Sequence, residues 1–387
     1  MIRKNLYLFG WHNFCAGLWL FSALAIVYFE QITGSYALAM LAFSLVNLVQ
    51  SISEIPCGIF SDRIGRKLTL LLSAVILFIN MLFWALAGNL ESVALLFIGS
   101  ALRGVGLAFL SGTGTALLYE TLAQLRQRKL FDTVFAKVCG YHQIGLVLSA
   151  VIATVVTYYG SLNLLAWLSV IPAAAKIIIV LLLVEPKNNL EEGISPWQQV
   201  KKSIRLFLKK PKLRKYSLLQ IVNSSLQLAV FRFESMYYEQ LIPIYLINIA
   251  RSLQHVIGCI SFWLVPMVNK ISFLRLLFFS SMGNALIRTL GLMMNNALTP
   301  FFSAAHNFFY GIGQTAEVTL IQKEYNKGLR ATMDSIAALF GGVFIAAAGY
   351  AFGVFADYTS PRAALALGVV AQVGIALLYR RLFKVYK

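Results

Sequence analysis

Acidic side chains are scarce in this chain: 15 Asp and Glu stand against 33 Lys and Arg in 387 residues, a formal net charge of +18. In a soluble protein such a balance points to a polyanion such as nucleic acid, so the placing of the charges decides what they mean. Other chemistry is missing too. The four cysteines, Cys15, Cys57, Cys139 and Cys259, lie in apolar runs without CxxC spacing, and read as small packing residues, not as metal ligands or disulfide partners. The four histidines form no cluster with metal-ligand spacing. No GxxxxGK[ST] segment is present to cradle a nucleotide phosphate, and no Gly-x-Ser-x-Gly stands at a strand-to-helix turn. Direct nucleotide-driven pumping and nucleophilic catalysis therefore lack an engine, and neither enzymatic activity, cofactor nor metal is expected.

What is abundant is hydrocarbon: 59% of the residues are hydrophobic and 12% charged. Nearly charge-free runs close to the ~20 residues needed to cross a bilayer recur along the whole chain. Twelve spans are predicted, at 6–29, 36–60, 68–87, 92–118, 138–159, 162–184, 216–238, 250–269, 273–294, 297–321, 331–356 and 362–380. The first run is too long for a signal peptide and lacks a small-residue cleavage site, so it is expected to stay as a helix.

The basic excess now has an explanation. With the amino terminus inside, most Lys and Arg fall on interior segments, whereas Arg251 and Arg362 alone are placed outside and Arg103, Lys176, Arg232 and Arg288 lie within spans. This is the positive-inside asymmetry. It predicts a multi-pass protein of a bacterial cytoplasmic (inner) membrane with both termini cytoplasmic, with the bilayer and not nucleic acid as its partner.

One polar interruption divides the spans six and six. It predicts an N-terminal six-helix bundle over 1–185, a cytoplasmic linker over 186–215 and a C-terminal six-helix bundle over 216–387. Within the linker Trp197, Val200, Ile204 and Phe207 recur at three- and four-residue steps beside Lys201, Lys202 and Arg205, as in an amphipathic helix lying on the inner face. An offset of 204 carries Glu120 to Glu324, Arg126 to Arg330 and Arg66 to Lys270, but Asp62 to Pro266, the pattern of a partly decayed internal repeat.

Between the second and third runs stands Gly58-Ile-Phe-Ser-Asp62-Arg63-Ile-Gly65-Arg66-Lys67. One acid, three bases and two glycines are expected to form a tight polar turn outside the hydrocarbon. The pattern Gly-x-x-x-Asp-Arg-x-Gly-Arg-Lys in this context resembles the signature loop of the major facilitator superfamily. The resemblance implies an all-α membrane protein of twelve transmembrane helices in two pseudo-twofold-related bundles. It also implies secondary transport of a small molecule by alternating access, with the solute held between the halves. In that reading Gly58, Asp62, Arg63, Gly65, Arg66 and Lys67 belong to an inner gate, with Glu120, Arg126, Glu324 and Arg330 closing the same cluster. Asp62 would pair with arginines of its own loop or cap the start of the eleventh helix. The plainer reading, charges anchoring loops at the headgroups, stays open.

Deep charges carry more information, because each costs at least ~2.5 kcal/mol at the bilayer centre unless it meets a partner or water. Arg103 falls mid-span, and the resemblance links an arginine of the fourth helix to proton coupling; the match is partial, since Gly106 follows at three residues where the pattern has its glycine at four, here Leu107. A buried structural bridge is the alternative for Arg103. Glu54 is a second candidate for proton coupling, or else a packing carboxylate. Because the resemblance places the first, fourth, seventh and tenth helices at the cavity, Trp19, Arg103, Arg232, Glu234, His306, Gln314 and Glu317 form the expected substrate-binding set, with Trp11, His12 and Asn13 near it. Lys176 and Arg288 fall in helices that the family places at the periphery, where snorkelling or pairing is expected. The Gly-Pro pair of the antiporter branch is missing, since Leu146 follows Gly145. That weighs against drug/proton antiport without excluding efflux.

The expected function is secondary transport of a small organic solute driven by a proton gradient, with efflux of amphipathic compounds or import of an anionic or zwitterionic metabolite as its two forms. The expected state is a monomer. A non-transporting sensor or scaffold on the same fold is the alternative of another class; nothing like a signalling domain accompanies it here. If the Asp62 cluster is a gate, Asp62→Asn should insert normally yet transport more slowly in proteoliposomes. Wild-type rates in a well-folded Asp62→Asn protein would remove the latch.

Overall fold

The computed structural model describes residues 2–111, 113–186, 211–268, 271–324 and 330–385. Among the described residues every regular element is helical: α1 (Asn5–Gly17), α2 (Ala25–Thr33), α3 (Tyr36–Ile64), α4 (Arg66–Asn89), α5 (Val93–Leu110), α6 (Thr113–Gln124), α7 (Phe131–Tyr159) and α8 (Leu162–Leu182). After the linker come α9 (Pro211–Glu239), α10 (Ile244–Val268), α11 (Phe273–Met294), α12 (Thr299–Ser303), α13 (Tyr310–Glu324), α14 (Arg330–Tyr358) and α15 (Pro361–Val385). Each of the twelve apolar runs is thus helical, and eight helical stretches among the described residues are long and apolar enough to cross a membrane. The amphipathic helix expected at 196–208 lies outside the described residues.

Three runs depart from single helices. The first breaks after Gly17, where the Leu18 amide is shared between the carbonyls of Phe14 and Cys15 and residues 18–24 turn before α2 begins. The fourth divides between α5 and α6 near Ser111, whose extended ψ of 120° cannot continue a helix. The tenth begins as the short α12 and tightens into a 3-10 segment, Ala304–Phe309, before α13. Such a stretch inside a span shifts the side chains that follow it to new faces.

The polar turn expected at 58–67 is shorter than the sequence implied. Helix α3 continues through Gly58, Asp62 and Arg63 to Ile64, and the connection to α4 is one residue, Gly65, at φ +94°. Only glycine holds that backbone without steric penalty. Arg63 in the last turn of α3 suits the negative end of the helix dipole, which favours carrying the helix into the motif.

The residues group into two compact units: Met1–Gly34 with Ala42–Pro196, and Ser35–Leu41 with Trp197–Lys387. In the first, α4 packs on α5 and α8, and α1 packs on α7. Phe9, Leu70, Leu117, Leu122, Val138 and Val180 form a buried apolar cluster. Trp84 is fully buried, with its ring edge-on to Phe21 and Phe29. In the second unit α9 packs on α14 and α15, and α11 packs on α13 and α15. The Asp357 carboxylate there accepts hydrogen bonds from the Ser35 hydroxyl and the amides of Tyr36 and Ala37, 2.7, 2.8 and 3.2 Å long.

The crossing of α1 and α7 is made by glycines. A Cβ on Gly145 would collide with the Phe14 carbonyl oxygen and lie 3.1 Å from the Gly17 Cα, so both helices approach through bare backbone. Gly145→Val should destabilise the protein by about 1–3 kcal/mol, lowering folded yield and melting temperature in detergent, with Gly145→Ala affected less. Unchanged melting of Gly145→Val would mean the two helices do not cross this closely.

Candidate functional site

The signature residues form a charged cluster at the start of α4. The Arg66 guanidinium reaches the Glu120 carboxylate at 3.4 Å and donates to the Ser61 hydroxyl at 3.0 Å. The amides of Arg66 and Lys67 both donate to Glu185, at 2.8 and 2.7 Å, and the Lys67 ammonium donates to the Leu181 carbonyl at 2.9 Å. Glu185 therefore caps α4: its two oxygens take amides that have no intrahelical partner, at the positive end of the dipole. In the sequence Glu185 is only the last residue of the expected N-terminal bundle. Of the residues expected to close this cluster, Glu120 joins it and Arg126 does not. Arg126 is exposed at φ +60° and forms no ion pair among the described residues, because the turn after α6 carries its side chain away. Arg63 is exposed, and Gly58 faces open space. The side chains of Asp62, Glu324 and Arg330 lie outside the described residues. Glu120 and Arg66 are each about one-fifth exposed, so their bond is worth ~1 kcal/mol or less.

Deeper in the first unit, Arg103 lies flat on tryptophan. Its guanidinium carbon is 3.9 Å from the Trp19 ring centroid and 5.2 Å from that of Trp84, and it donates to the Asn80 side-chain oxygen at 3.4 Å. The two indoles are stacked, with centroids 6.3 Å apart. Trp19 owes its position to the break between α1 and α2, a feature invisible to an apolar-run reading. Such a pair of aromatic faces stabilises a cation. Asn80 is fixed in turn by donating to the Gly99 carbonyl at 2.9 Å. Lys176 does not snorkel: only 7% of it is exposed, and its helix α8 turns it inward against α1. Glu54 is half-buried and accepts from the Ser111 hydroxyl at 3.5 Å.

The second unit gathers its charges around Glu234 on α9. One carboxylate oxygen receives Arg251 Nη1 at 3.0 Å and Gln254 Nε2 at 3.3 Å; the other receives Arg288 Nε at 3.0 Å. Arg251 also donates to the Ser235 hydroxyl and the Phe231 carbonyl. Arg251, expected at the end of a span facing outside, is instead 3% exposed and about two turns into α10, which starts at Ile244 and not near 250. Arg288 is buried and paired, and its remaining donors reach Gln372 Oε1 at 3.3 Å and His306 Nε2 at 2.9 Å. His306 Nδ1 lies 2.5 Å from the Ser303 carbonyl oxygen. Only the neutral imidazole with its proton on Nδ1 satisfies both contacts. A small cavity borders Glu234, Tyr238, Arg288 and Ser303. Arg232, next but one to Glu234, is partly buried near the Phe231 ring.

A separate carboxylate stands on α13. Glu317 Oε1 accepts from Asn223 Nδ2 on α9 at 2.9 Å and from the Tyr379 hydroxyl on α15 at 2.8 Å, and Gln227 orients Asn223 by donating to it at 3.1 Å. Gln314, one turn earlier, is exposed. Of the expected substrate set, Glu234 and His306 thus share one network in the second unit, Arg103 and Trp19 another in the first, and Glu317 belongs to a third.

Comparison with known proteins agrees with this architecture. A family model described as Major Facilitator Superfamily matches residues 8–273. An uncharacterized transporter of Buchnera aphidicola subsp. Schizaphis graminum is 28% identical over 156 residues, 40% of this chain and 38% of that protein. The inner membrane transport protein YajR of Escherichia coli (strain K12) is 26% identical over 185 residues, 47% of this chain and 38% of that one. The alignments therefore span 38% of either relative's length. Among solved structures, the nucleoside transporter NupG superposes with a TM-score of 0.78 at 14% identity, covering 99% of both chains. A D-xylose–proton symporter gives 0.69 at 15% identity, covering 97% of this chain and 96% of that one. At such identities the likeness is one of fold.

Removing the Glu234 charge tests the second-unit network. Glu234→Gln leaves two buried guanidinium groups without a counter-ion and should cost about 3–5 kcal/mol, seen as a large drop in melting temperature of the purified protein, while Glu234→Asp keeps much of the stability. Equal melting of Glu234→Gln and wild type would show that the cluster is not what holds α9, α10 and α11 together.

Proposed function

Since the chain belongs to the major facilitator superfamily, we propose that it is a proton-coupled secondary transporter that moves a small organic solute by alternating access. Membrane transport is the common property of the curated relatives it matches. Proton coupling rests on one observation, the setting of Glu317. This carboxylate is buried inside a helix bundle, its hydrogen-bond donors Asn223 and Tyr379 are both neutral, and no basic side chain pairs with it among the described residues. Tyr310 on the same helix is the other titratable group within electrostatic reach.

An ionised carboxylate in such a place is costly, whereas a protonated one is not. Glu317 can therefore take up a proton in one conformation and release it in another that admits water. Glu234 is less suited to that work, because two guanidinium groups already balance its charge. Glu54, half-buried beside a hydroxyl, is the corresponding candidate in the first unit.

A pH difference of about one unit is worth ~1.4 kcal/mol and can sustain about tenfold accumulation per proton. Proteoliposomes assayed against a panel of metabolites and drugs should accumulate the solute with a pH gradient and lose that accumulation to a protonophore. Glu317→Gln should lose gradient-driven accumulation while retaining solute exchange at equal concentrations. Accumulation that ignores the protonophore and follows a sodium gradient would exclude proton coupling.

A further inference from the structure

At one end of the second unit, α11 and α15 bring four exposed bases together: Arg275 near the start of α11, and Arg380, Arg381 and Lys384 near the end of α15. The two helices pack along each other, and cation–π contacts cross between them. The Arg275 guanidinium carbon lies 4.7 Å from the centroid of the Phe383 ring, and that of Arg380 lies 5.9 Å from the centroid of Phe278. Arg275 and Phe278 stand three residues apart on one helix, as do Arg380 and Phe383 on the other, so the two contacts are neighbouring rungs of one antiparallel pairing. Neither helix contains an Asp or Glu anywhere along its length. Helix electrostatics account for only part of this arrangement. Lys384, in the last turn of α15, suits the negative end of its dipole. Arg275 does not: it is the third residue of α11, at the positive end, where a cation is disfavoured and the Ser272 side chain makes no capping hydrogen bond.

The same bases continue two apolar strips. On α15, Val370, Leu377, Arg381 and Lys384 follow one another at steps of seven, four and three residues, which is one helical face. On α11, Arg275, Phe279, Leu286 and Met293 do so at steps of four, seven and seven. The apolar members are open, from 50% exposed at Leu377 to 70% at Met293. A face that is hydrocarbon for most of its length and basic at one end matches a phospholipid, with chains against the strip and phosphate among the bases. We propose that this end of α11 and α15 is a binding site for an anionic phospholipid of the phosphatidylglycerol kind, its phosphate received by Arg275, Arg381 and Lys384 and its acyl chains laid along the two strips. A guanidinium edge offers a phosphate paired N–H donors, and the Phe383 ring against Arg275 steadies that group while leaving its edge to the ligand. The phosphate also supplies the negative charge that the start of α11 favours. With the termini inside, as the charge distribution leads one to expect, the lipid belongs to the inner leaflet and fastens the last helix to α11.

The test requires neither transport nor a gradient. Purified protein, stripped of lipid in neutral detergent, is melted with phosphatidylglycerol, with phosphatidylcholine and with soluble glycerol phosphate, at one ionic strength throughout. Phosphatidylglycerol should raise the melting temperature by a few degrees more than phosphatidylcholine does, and glycerol phosphate should leave it unchanged. The triple variant Arg275→Gln, Arg381→Gln, Lys384→Gln should lose that difference between the two lipids. Arg380 is kept in it, because the neighbouring Tyr379 hydroxyl holds Glu317. A control that removes three exposed bases from the first unit, Arg128→Gln, Lys129→Gln and Lys137→Gln, should retain the difference. Equal stabilisation by the two lipids, or a difference that survives in the α11 and α15 variant, overturns the assignment. So does a difference that vanishes equally in the control, since the lipid would then be reading net charge and not place. A rise with glycerol phosphate as large as that with the lipid would make this a site for a soluble phosphate, and equally overturn it. Should the triple variant fail to fold, Arg381→Gln alone decides: a reduced difference upholds the site and an undiminished one removes it.

Discussion

One carboxylate between two guanidinium groups organises the second unit. Glu234 receives Arg251 from α10 and Arg288 from α11, and Arg288 extends the network to His306 in the 3-10 segment and to Gln372 on α15. A bilayer offers these groups no water, so each arginine is tolerable only where the acid is, and the helices bearing them must converge there. The 3-10 tightening before α13 belongs to the same constraint, because it lets the Ser303 carbonyl fix the imidazole that Arg288 meets.

The two units handle charge differently. The second neutralises most of what it buries and leaves Glu317 among neutral donors. The first stacks its arginine on indoles, and its buried lysine pairs with no acid among the described residues. A protein that has to exchange a proton and bind a solute in turn benefits from this separation, since groups that neutralise each other permanently can do neither. In the proposed cycle the rigid pairs serve as scaffold, and the exchange falls to groups without a permanent counter-ion.

Much of the fold was legible in the sequence because the bilayer imposes a strong pattern: every apolar run that is long enough proved helical, and the Gly58–Lys67 spacing pointed to the family whose model matches the chain. What escaped was long-range or stereochemical. Glu185 caps α4 across more than a hundred residues, with no periodicity to announce it. Arg251 was misplaced because its charge suggested a helix end, although the seven residues before it, Ile244 to Ala250, are already helical. Lys176 looked peripheral because a helix's place in a family says nothing about which face a side chain occupies. Residues 18–24, apolar throughout apart from Ser22, gave no sign of the break that brings Trp19 over Arg103.

The single-residue connection at Gly65 has a consequence for handling the protein. Consecutive Cα atoms are about 3.8 Å apart, so helices of 29 and 24 residues meet there with no slack in the chain. An epitope or fluorescent reporter inserted at this point would unseat the Arg66 and Lys67 amides from Glu185 and break the left-handed turn at once, although the site looks on paper like a loop between spans. The connection behaves as a rigid elbow between two helices, and not as a loop open to insertion.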